Sequence, residues 1–363
     1  MKVLSLFDGM ACGMIAMQLA GMKVESYDTY EIDKCAIKTA QHNFPMIKEH
    51  GDVFDADFTQ YEGVDFLIGG SPCTYWSIAQ TKNRETVASG MGWELFSQYV
   101  RALHEAKPKY FIYENNKSMS KAIRASIDET FGFEAVLINS ALVSAQNRQR
   151  LYWVGKRNPD GTYSKVDVEQ PEDRGILLRD IVENGTVWQE KSYNLTTRCC
   201  GAIPEDTLKR HRHTMVAEPV EPRCVAQRGR YPENPKSRVA GLPTEQMFEA
   251  REDDKTNTLT TVQKDNLVAE PVCVAEPIRV GIYPTSDYEV RDGKITIKGK
   301  QYPIKLKDGY YIIRKLTVRE CMRLQTVPEW YEFPVSDSQA YKMLGNGWTV
   351  DVIAHILKGL KEA

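Results

Sequence analysis

The chain has 363 residues, of which 42% are hydrophobic and 26% are charged, and its formal net charge is −2. This composition is typical of a folded globular protein and argues against an intrinsically disordered chain. No apolar run approaches the length of a membrane span and no signal peptide is recognised, so we expect a cytoplasmic protein. The eight cysteines include no Cys-x-x-Cys pair, which favours reduced thiols over a disulfide framework.

The first 157 residues alternate between strand-like and helix-like segments. This alternation predicts an α/β fold, with a mostly parallel sheet covered by helices on both faces. The predicted strands are Val3–Phe7, Val24–Tyr30, Phe66–Ile68 and Tyr110–Tyr113, followed by the β-rich stretches Ala135–Val143 and Arg150–Val154. The predicted helices are Met10–Leu19, Lys34–His42, Trp93–Ala106 and Ser118–Phe131.

The pattern changes from about residue 158, where apolar runs shorten and helical periodicity almost disappears until Leu316. A weak internal repeat relates Tyr193–Thr197 to Asn257–Thr261. Two copies are too few for a solenoid, so we interpret them as a duplicated strand pair in one irregular β domain. Helical periodicity returns at Thr317–Gln325 and Ser338–Leu360.

The loop after the first predicted strand reads Phe7-Asp8-Gly9-Met10-Ala11-Cys12-Gly13. Its glycines would let backbone amides and the helix start approach a ligand, although close packing of strand against helix explains them equally well. Glu31 follows the second strand, at the position from which a carboxylate can hold ribose hydroxyls. Asp52 is a third candidate contact, suited to the exocyclic amine of adenine. Together they favour a ligand that contains adenosine over a purely structural interpretation.

The segment Gly69–Ser77 carries the dipeptide Pro72-Cys73 directly after the third long strand. A strand that ends here brings a thiol to the carboxyl edge of the sheet, where open α/β sheets bind ligands. The proline stiffens the turn that presents the sulfur. A lone cysteine is more often a small buried apolar residue than a nucleophile, so the interpretation depends on its neighbours.

Two further groups are expected at the same edge. Glu114 lies at the end of the next strand, where an acid is either a helix cap or a catalytic group. Gln146, Arg148 and Arg150 alternate along a predicted strand and should therefore face one side. Beside a cysteine and a glutamate, two arginines favour a clamp for a phosphate or a polarised carbonyl over a solvated surface.

In this order the motifs resemble the DNA cytosine-5 methyltransferase family, and the front half is similar to the mammalian de novo methyltransferases. Only the segment at about 158–310 is unmatched, as that family leads one to expect. Thr74, Asn116 and Gly347-Trp348 depart from the usual pattern, as does Ala11 in the first loop. The matching segments are Phe7–Gly13, Glu31, Asp52, Pro72-Cys73, Glu114-Asn115, Gln146-x-Arg148-x-Arg150, Arg314–Glu320, Arg323–Gln325 and Gly345–Gly347.

The resemblance implies a Rossmann-like S-adenosylmethionine-dependent methyltransferase sheet formed by residues 1–157 and 337–363. It further implies a second, smaller, irregular β-rich target-recognition domain at residues 158–336. The implied cofactor is S-adenosylmethionine. The implied cofactor contacts are Phe7, Asp8, Gly9, Met10, Glu31, Ile32, Asp52, Val53, Ser71, Pro72, Leu95, Asn346 and Trp348.

The resemblance also implies the catalytic roles. Cys73 would add to carbon 6 of a flipped-out cytosine, and Glu114 would donate a proton or a hydrogen bond to ring nitrogen 3. Arg148 would orient the base through its carbonyl oxygen, and Arg150 would secure the adjoining phosphate or the cysteine loop. The loop Thr81–Gly92 would close over the DNA.

The implied partner is double-stranded DNA, bound by a monomer without a metal ion. The segment from Arg198 to Arg238 contains nine lysines or arginines and five acidic residues. This excess of positive charge suits a surface that contacts phosphates. Cys199-Cys200 lacks the spacing of a zinc knuckle.

Three other functions compete with this one. An RNA cytosine methyltransferase is disfavoured by the long variable segment, and an inactive DNA-binding regulator by the retention of Cys73 and Glu114. A nicotinamide oxidoreductase gives no reason for the Pro-Cys turn. We therefore expect a free-standing modification enzyme of a microbe or phage.

Overall fold

The computed structural model describes residues 1–78, 82, 84–197, 201–220, 223–230, 245–250, 267–269 and 287–362. Within it the chain forms two compact units. Unit 1 comprises Met1–Glu183, Gln189–Thr214 and Lys315–Ala363, and unit 2 comprises Asn184–Trp188 and Met215–Arg314. Several features of the sequence lie outside the described residues: Thr81 and Asn83, Cys199-Cys200, the repeat copy Asn257–Thr261 and much of the basic segment.

Unit 1 contains a sheet of strand order β3-β2-β1-β4-β5-β7-β6, with β8 paired to β7. Strands β1 to β5 pair in parallel, whereas β7 runs antiparallel to β5 and β6. This confirms the predicted α/β class. Because β1 lies between β2 and β4, a crevice opens where the connections diverge, outside the carboxyl ends of these strands. The strands are β1 (Lys2–Leu6), β2 (Ser26–Tyr30), β3 (Ile47–Glu49), β4 (Phe66–Gly69), β5 (Tyr110–Asn116), β6 (Val136–Asn139), β7 (Gln149–Arg157) and β8 (Tyr163–Lys165).

The helices of unit 1 follow the predicted pattern with two differences. The sequence did not predict α5, a short helix that begins with a proline in its first turn. The single helix predicted at Ser338–Leu360 is two helices, α7 and α8, because the chain is extended at Gly347. The helices are α1 (Cys12–Leu19), α2 (Lys34–Asn43), α3 (Met91–Ala106), α4 (Lys121–Phe131), α5 (Pro204–Arg210), α6 (Val318–Leu324), α7 (Asp337–Asn346) and α8 (Val350–Glu362).

Aromatic side chains form the core beside β4 and β5. Every residue of these two strands is buried, as expected for central parallel strands that are covered on both faces. Tyr113 packs against Tyr99 and Trp153, with ring centroids 4.8 Å and 5.6 Å away. The buried hydroxyl of Tyr99 donates to the carbonyl of Ile112 at 2.9 Å, so its polar atom is satisfied inside the core. A rigid core therefore supports the strand ends where the candidate residues lie.

The described part of unit 2 contains two β sheets, in agreement with the expected second β-rich domain. It contains a three-stranded sheet, β11-β10-β12, and a five-stranded sheet, β15-β14-β13-β16-β9. The pairings among β10–β12 and among β13–β16 are antiparallel. Its strands are β9 (Met215–Val220), β10 (Arg223–Arg230), β11 (Glu245–Ala250), β12 (Leu267–Ala269), β13 (Asp287–Arg291), β14 (Lys294–Ile297), β15 (Lys300–Pro303) and β16 (Gly309–Lys315).

The limits of the compact units differ from the domain limits expected from the sequence. Most of residues 158–214 and all of 315–336 are part of unit 1, although from the sequence we expected them in the second domain. One physical reason is that both segments bond to residues before 158: the amide of Leu195 donates to Gln146 Oε1 at 2.8 Å, and the buried hydroxyl of Ser144 donates to the carbonyl of Leu324 at 2.6 Å. The role of residues 158–336 in target recognition stays a prediction. Within the described parts of the chain, no helix is both long and apolar enough to cross a membrane.

Candidate active site

The turn that carries Cys73 is fixed against the neighbouring strand β5. Cys73 is half-buried and begins a single turn of 3₁₀ helix. Just before it, the buried hydroxyl of Ser71 lies 2.6 Å from the hydroxyl of Tyr113. The side-chain amide of Asn115 donates to the carbonyl of Ser71 at 3.2 Å. These bonds hold the thiol at the carboxyl edge of the sheet.

Gly70 brings the cysteine turn close to Glu114. A Cβ atom added at Gly70 would lie 2.7 Å from the carbonyl oxygen of Glu114 and 3.0 Å from its carboxylate Oε2. Such a Cβ would clash with the backbone of β5, so only glycine allows this approach. The thiol-bearing turn and the carboxylate are therefore neighbours, as their positions after adjacent strands predicted.

The carboxylate of Glu114 has one donor on each oxygen. Arg150 Nε lies 3.0 Å from Oε1, and both side chains are only 12% exposed. The indole N–H of Trp348 donates to Oε2 at 2.9 Å. From the sequence we expected Arg150 to bind a phosphate or the cysteine loop, and the bond from Trp348 was not expected. The expected contact of Trp348 with the cofactor stays a prediction.

Arg148 is buried and its terminal nitrogens are occupied. Nη1 donates to Asn194 Oδ1 at 2.9 Å and to the carbonyl of Leu195 at 3.2 Å. Nη2 donates to the carbonyls of Gly345 at 3.2 Å and Gly347 at 2.7 Å. Arg148 thereby joins three separate segments of unit 1. Its expected contact with the carbonyl of a base stays a prediction.

The pKa of Arg148 depends on burial and on neighbouring charged groups. Burial and the adjacent Arg150 lower the pKa of Arg148 to about 9, whereas Glu114 and Cys73 act in the opposite direction. Arg148 keeps its charge at neutral pH. Both the thiol and the carboxyl group are close enough to affect its guanidinium.

The expected one-sided arrangement of Gln146, Arg148 and Arg150 is present, although β7 begins only at Gln149. Gln146 and Arg148 are buried, whereas the residue between them, Asn147, is exposed. Gln146 accepts a hydrogen bond from the amide of Leu195 at 2.8 Å. It therefore supports the interior rather than the open edge.

The first loop and Glu31 meet at the carboxyl ends of β1 and β2. The amide of Gly9 donates to Glu31 Oε2 at 2.8 Å. Oε1 of the same carboxylate accepts from the amides of Ile32 and Asp33, each at 2.8 Å. Gly9 has a φ of +59°, a conformation that glycine adopts without strain. The carboxylate is thus rigidly oriented at the crevice, where the sequence expected a ribose.

Asp8 has a buried carboxyl group with one unsatisfied oxygen. Its Oδ1 accepts from the hydroxyls of Ser5 at 2.5 Å and Tyr27 at 2.7 Å. Its Oδ2 is buried and has no hydrogen-bond partner among the residues that the structure describes. Burial raises the pKa of Asp8 to about 7, and the nearby carboxylates of Glu31 and Glu49 add to the rise.

Glu49, at the end of β3, was not identified from the sequence. Its carboxylate accepts from Thr29 Oγ1 at 3.0 Å, from the amide of Glu31 at 2.9 Å and from that of Gly51 at 2.9 Å. Glu49 therefore fixes the backbone at Glu31 and at Gly51, the residue before Asp52. An acid that ends a strand two residues before a glycine is the signal that could have found it. Asp52 itself caps a short turn through the amide of Phe54.

The other expected cofactor contacts differ in exposure. Ile32 is an apolar side chain that is 70% exposed at the crevice, next to Glu31. Leu95 is half-buried and packs against the aromatic core. Met10 and Val53 are buried, Phe7 is half-buried, and Pro72 and Asn346 are exposed.

Comparison with known proteins identifies the family. A family model described as C-5 cytosine-specific DNA methylase matches residues 1–362. The chain is 26% identical to the orphan methyltransferase M.SPRI of Bacillus phage SPR, over 99% of this chain and 97% of that protein. It is 28% identical to the type II methyltransferase M.HpaII of Haemophilus parainfluenzae, over 96% and 86%.

Solved structures agree at the level of the fold. The S. pombe Dnmt2 methyltransferase superposes with a TM-score of 0.55 at 13% identity, covering 99% of this chain and 98% of that one. A DNMT2 mutant from Spodoptera frugiperda gives 0.56 at 16% identity, covering 99% of both chains. The protein thus belongs to the C-5 cytosine-specific DNA methylases and is a DNA cytosine-5 methyltransferase.

Proposed function

We propose that this enzyme transfers a methyl group from S-adenosylmethionine to carbon 5 of a flipped-out cytosine in double-stranded DNA, through a covalent Cys73 adduct. The observation that carries the proposal is the meeting of the Cys73 turn with the Glu114–Arg150 pair at one edge of the sheet. A duplex hides the reacting atoms of the base within the stack, so the nucleotide must leave it.

Covalent catalysis overcomes the low reactivity of carbon 5. The thiolate of Cys73 forms a bond to carbon 6, and the ring electrons this displaces make carbon 5 nucleophilic. Once its carboxylate has taken up a proton from solvent, Glu114 donates that proton, or a hydrogen bond, to nitrogen 3, which stabilises the charge that develops on the ring. After carbon 5 is methylated, loss of its proton returns the electron pair to the ring. The bond to sulfur then breaks and Cys73 leaves as thiolate.

We assign the contact with the base carbonyl to Arg150. Both terminal nitrogens of Arg148 donate to protein acceptors, which leaves only its Nε–H for another partner. Arg150 binds Glu114 through Nε and the carbonyl of Gln149 through Nη1. Because Nη2 lies on the same planar fork, a base held by Glu114 can receive a second hydrogen bond from Arg150.

The crevice beside β1 and β2 fits S-adenosylmethionine. When bound, this cofactor supplies an electrophilic methyl group. Glu31 and Asp52 offer carboxylate oxygens for ribose hydroxyls and an adenine amine, and exposed Ile32 offers an apolar face for the ring. The remaining residues expected to hold the cofactor are Phe7, Asp8, Gly9, Met10, Val53, Ser71, Pro72, Leu95 and Asn346.

The covalent step is tested with Cys73→Ser. We expect the variant to lose incorporation of tritiated methyl groups into DNA by at least 1,000-fold, in the range typical of a lost nucleophile (about 10³ or more). DNA that contains 5-fluorocytosine should form a denaturant-resistant adduct with the unaltered enzyme and none with the variant. Cys35→Ser, at a half-buried cysteine on α2, is the matched control and should behave as the unaltered enzyme. Full incorporation by Cys73→Ser would show that methyl transfer does not proceed through a covalent bond to Cys73.

Unit 2 is our candidate for reading the target sequence. Its antiparallel sheets agree with the β-rich target-recognition domain that the family resemblance implies. Proteins read base edges with side chains on elements that enter a groove of the DNA. Bisulfite sequencing of DNA from cells that express the enzyme should show one methylated sequence context. An RNA substrate would instead give methylation of RNA and unmodified DNA.

A further inference from the structure

Trp348 stands at a position where this sequence departs from the family pattern. Its indole N–H donates to Glu114 Oε2 at 2.9 Å, on the opposite side of the carboxylate from Arg150. The terminal torsion of a glutamate is broad, so a carboxylate with one partner can rotate widely. Donors on both oxygens fix its plane.

The turn that carries Trp348 is itself anchored. The carbonyl of Gly347 accepts from Arg148 Nη2 at 2.7 Å and from Gln325 Nε2 at 3.1 Å. The hydroxyl of Thr349 donates to Gln325 Oε1 at 3.0 Å. These partners are buried, so the residues on both sides of the half-buried indole have fixed positions.

We propose that Trp348 is a positioning residue, which orients the carboxylate of Glu114 for contact with the target base. The inference rests on the proposed catalytic role of Glu114. Arg148 supports this position because its Nη2 donates to the carbonyl of Gly347, the residue before Trp348. If Trp348 contacted the cofactor, its replacement would lower the affinity for the cofactor. If Trp348 positions Glu114, its replacement lowers the rate of the chemical step.

The test is Trp348→Phe, which keeps an aromatic ring and removes the N–H. Loss of a hydrogen bond to a charged group should lower kcat by roughly 10-fold or more. The Kd for S-adenosylhomocysteine and the KM for DNA should stay within about 2-fold, because uniform binding is unaffected. Trp330→Phe is the matched control, since Trp330 is 52% exposed and outside the site; its kcat should not change.

Two results would overturn the inference: an unchanged kcat, or a loss that lies wholly in the affinity for S-adenosylhomocysteine. If Trp348→Phe has a markedly lower melting temperature, 3-benzothienylalanine at position 348 removes the N–H from a ring system of the same size. The same loss of kcat is then expected, and its absence counts against the role. Adduct formation by the unaltered enzyme on 5-fluorocytosine DNA tests the proposed function separately, so the two can fail independently.

Discussion

Arg148 and Arg150 carry the same charge into different surroundings, although they are two positions apart. Arg148 meets carbonyl groups and an amide oxygen, which cannot neutralise it, and its burial lowers its pKa. Arg150 meets the carboxylate of Glu114 on the neighbouring strand β5. A buried cation that satisfies backbone carbonyls supports structure, whereas a cation paired with an acid beside the proposed nucleophile is available to contact a substrate. The surroundings, rather than the residue type, separate the two roles.

Asp8 should make stability depend on pH. Its pKa is about 7 in the folded protein and near 4 in the unfolded chain, so the folded state holds more protons between these values. Stability contributed by Asp8 is therefore present below pH 4 and is lost as the pH rises to about 7. The loss has a ceiling of about 4 kcal/mol, since one pKa unit corresponds to about 1.4 kcal/mol.

The measurement is urea unfolding of the unaltered enzyme and Asp8→Asn at pH 5 and pH 8. The neutral variant should gain free energy of unfolding relative to the unaltered enzyme as the pH rises, by about 2 kcal/mol or more. Asp55→Asn, at an exposed position, should follow the unaltered enzyme. Parallel pH dependence of Asp8→Asn and the unaltered enzyme would contradict the assignment.

At the scale of elements, the first loop contains a strained position. Ala11 is the residue before α1 and has a φ of +60°, where a Cβ costs about 1 kcal/mol. The family pattern frequently has glycine there. Ala11→Gly relieves this strain, but it also removes a fully buried methyl group and raises the chain entropy of the unfolded state, so the free energy of unfolding should change by less than about 0.5 kcal/mol.

The check is urea unfolding of Ala11→Gly beside Ala16→Gly. Ala16 lies within α1 and is buried, so its replacement should destabilise by about 1 kcal/mol or more through lost helix propensity and packing. Because both variants lose a buried methyl group, Ala11→Gly is expected to cost about 1 kcal/mol less than Ala16→Gly. Equal destabilisation by the two variants would mean that the loop holds no backbone strain at this position.

The elements that could be predicted are those whose signal is local. Apolar runs identified β4 and β5, and helical spacing identified α3, because one face or both faces of each are buried. The break between α7 and α8 could not be predicted. It depends on Arg148 and Gln325, distant in sequence, which bind the Gly347 carbonyl.

The same distinction applies to the site. Cys73, Glu114 and Glu31 could be proposed because each follows or ends a strand, and strand ends of a parallel sheet share one edge. The bond from Trp348 to Glu114 depends on the path of a chain segment more than 200 residues away, for which no local pattern exists. Glu49 was missed for a different reason, since its signal is local but its partners are main-chain amides.

At the scale of the whole molecule, the C-terminal segment of unit 1, from Lys315 onward, packs against the first loop and α1. The hydroxyl of Tyr331 donates to the carbonyl of Met10 in the first loop at 2.6 Å, and α8 packs against α1. Gln325 lies at the centre of this closure and is only 1% exposed. Its Nε2 donates to the carbonyls of Leu344 and Gly347, and its Oε1 accepts from Gln146 Nε2 at 3.2 Å.

Gln325→Ala should therefore affect both stability and catalysis. Removal of this amide leaves buried donors and acceptors without partners, so the free energy of unfolding should fall by about 3 kcal/mol. Because the Gly347 carbonyl loses one of its two donors, the turn that carries Trp348 should also shift and lower kcat. Urea unfolding and methyl transfer below the melting temperature measure the two effects. Gln41→Ala, at an exposed position of α2, should alter neither; a Gln325→Ala enzyme that unfolds like this control would show that the buried amide is not what joins the two ends of unit 1.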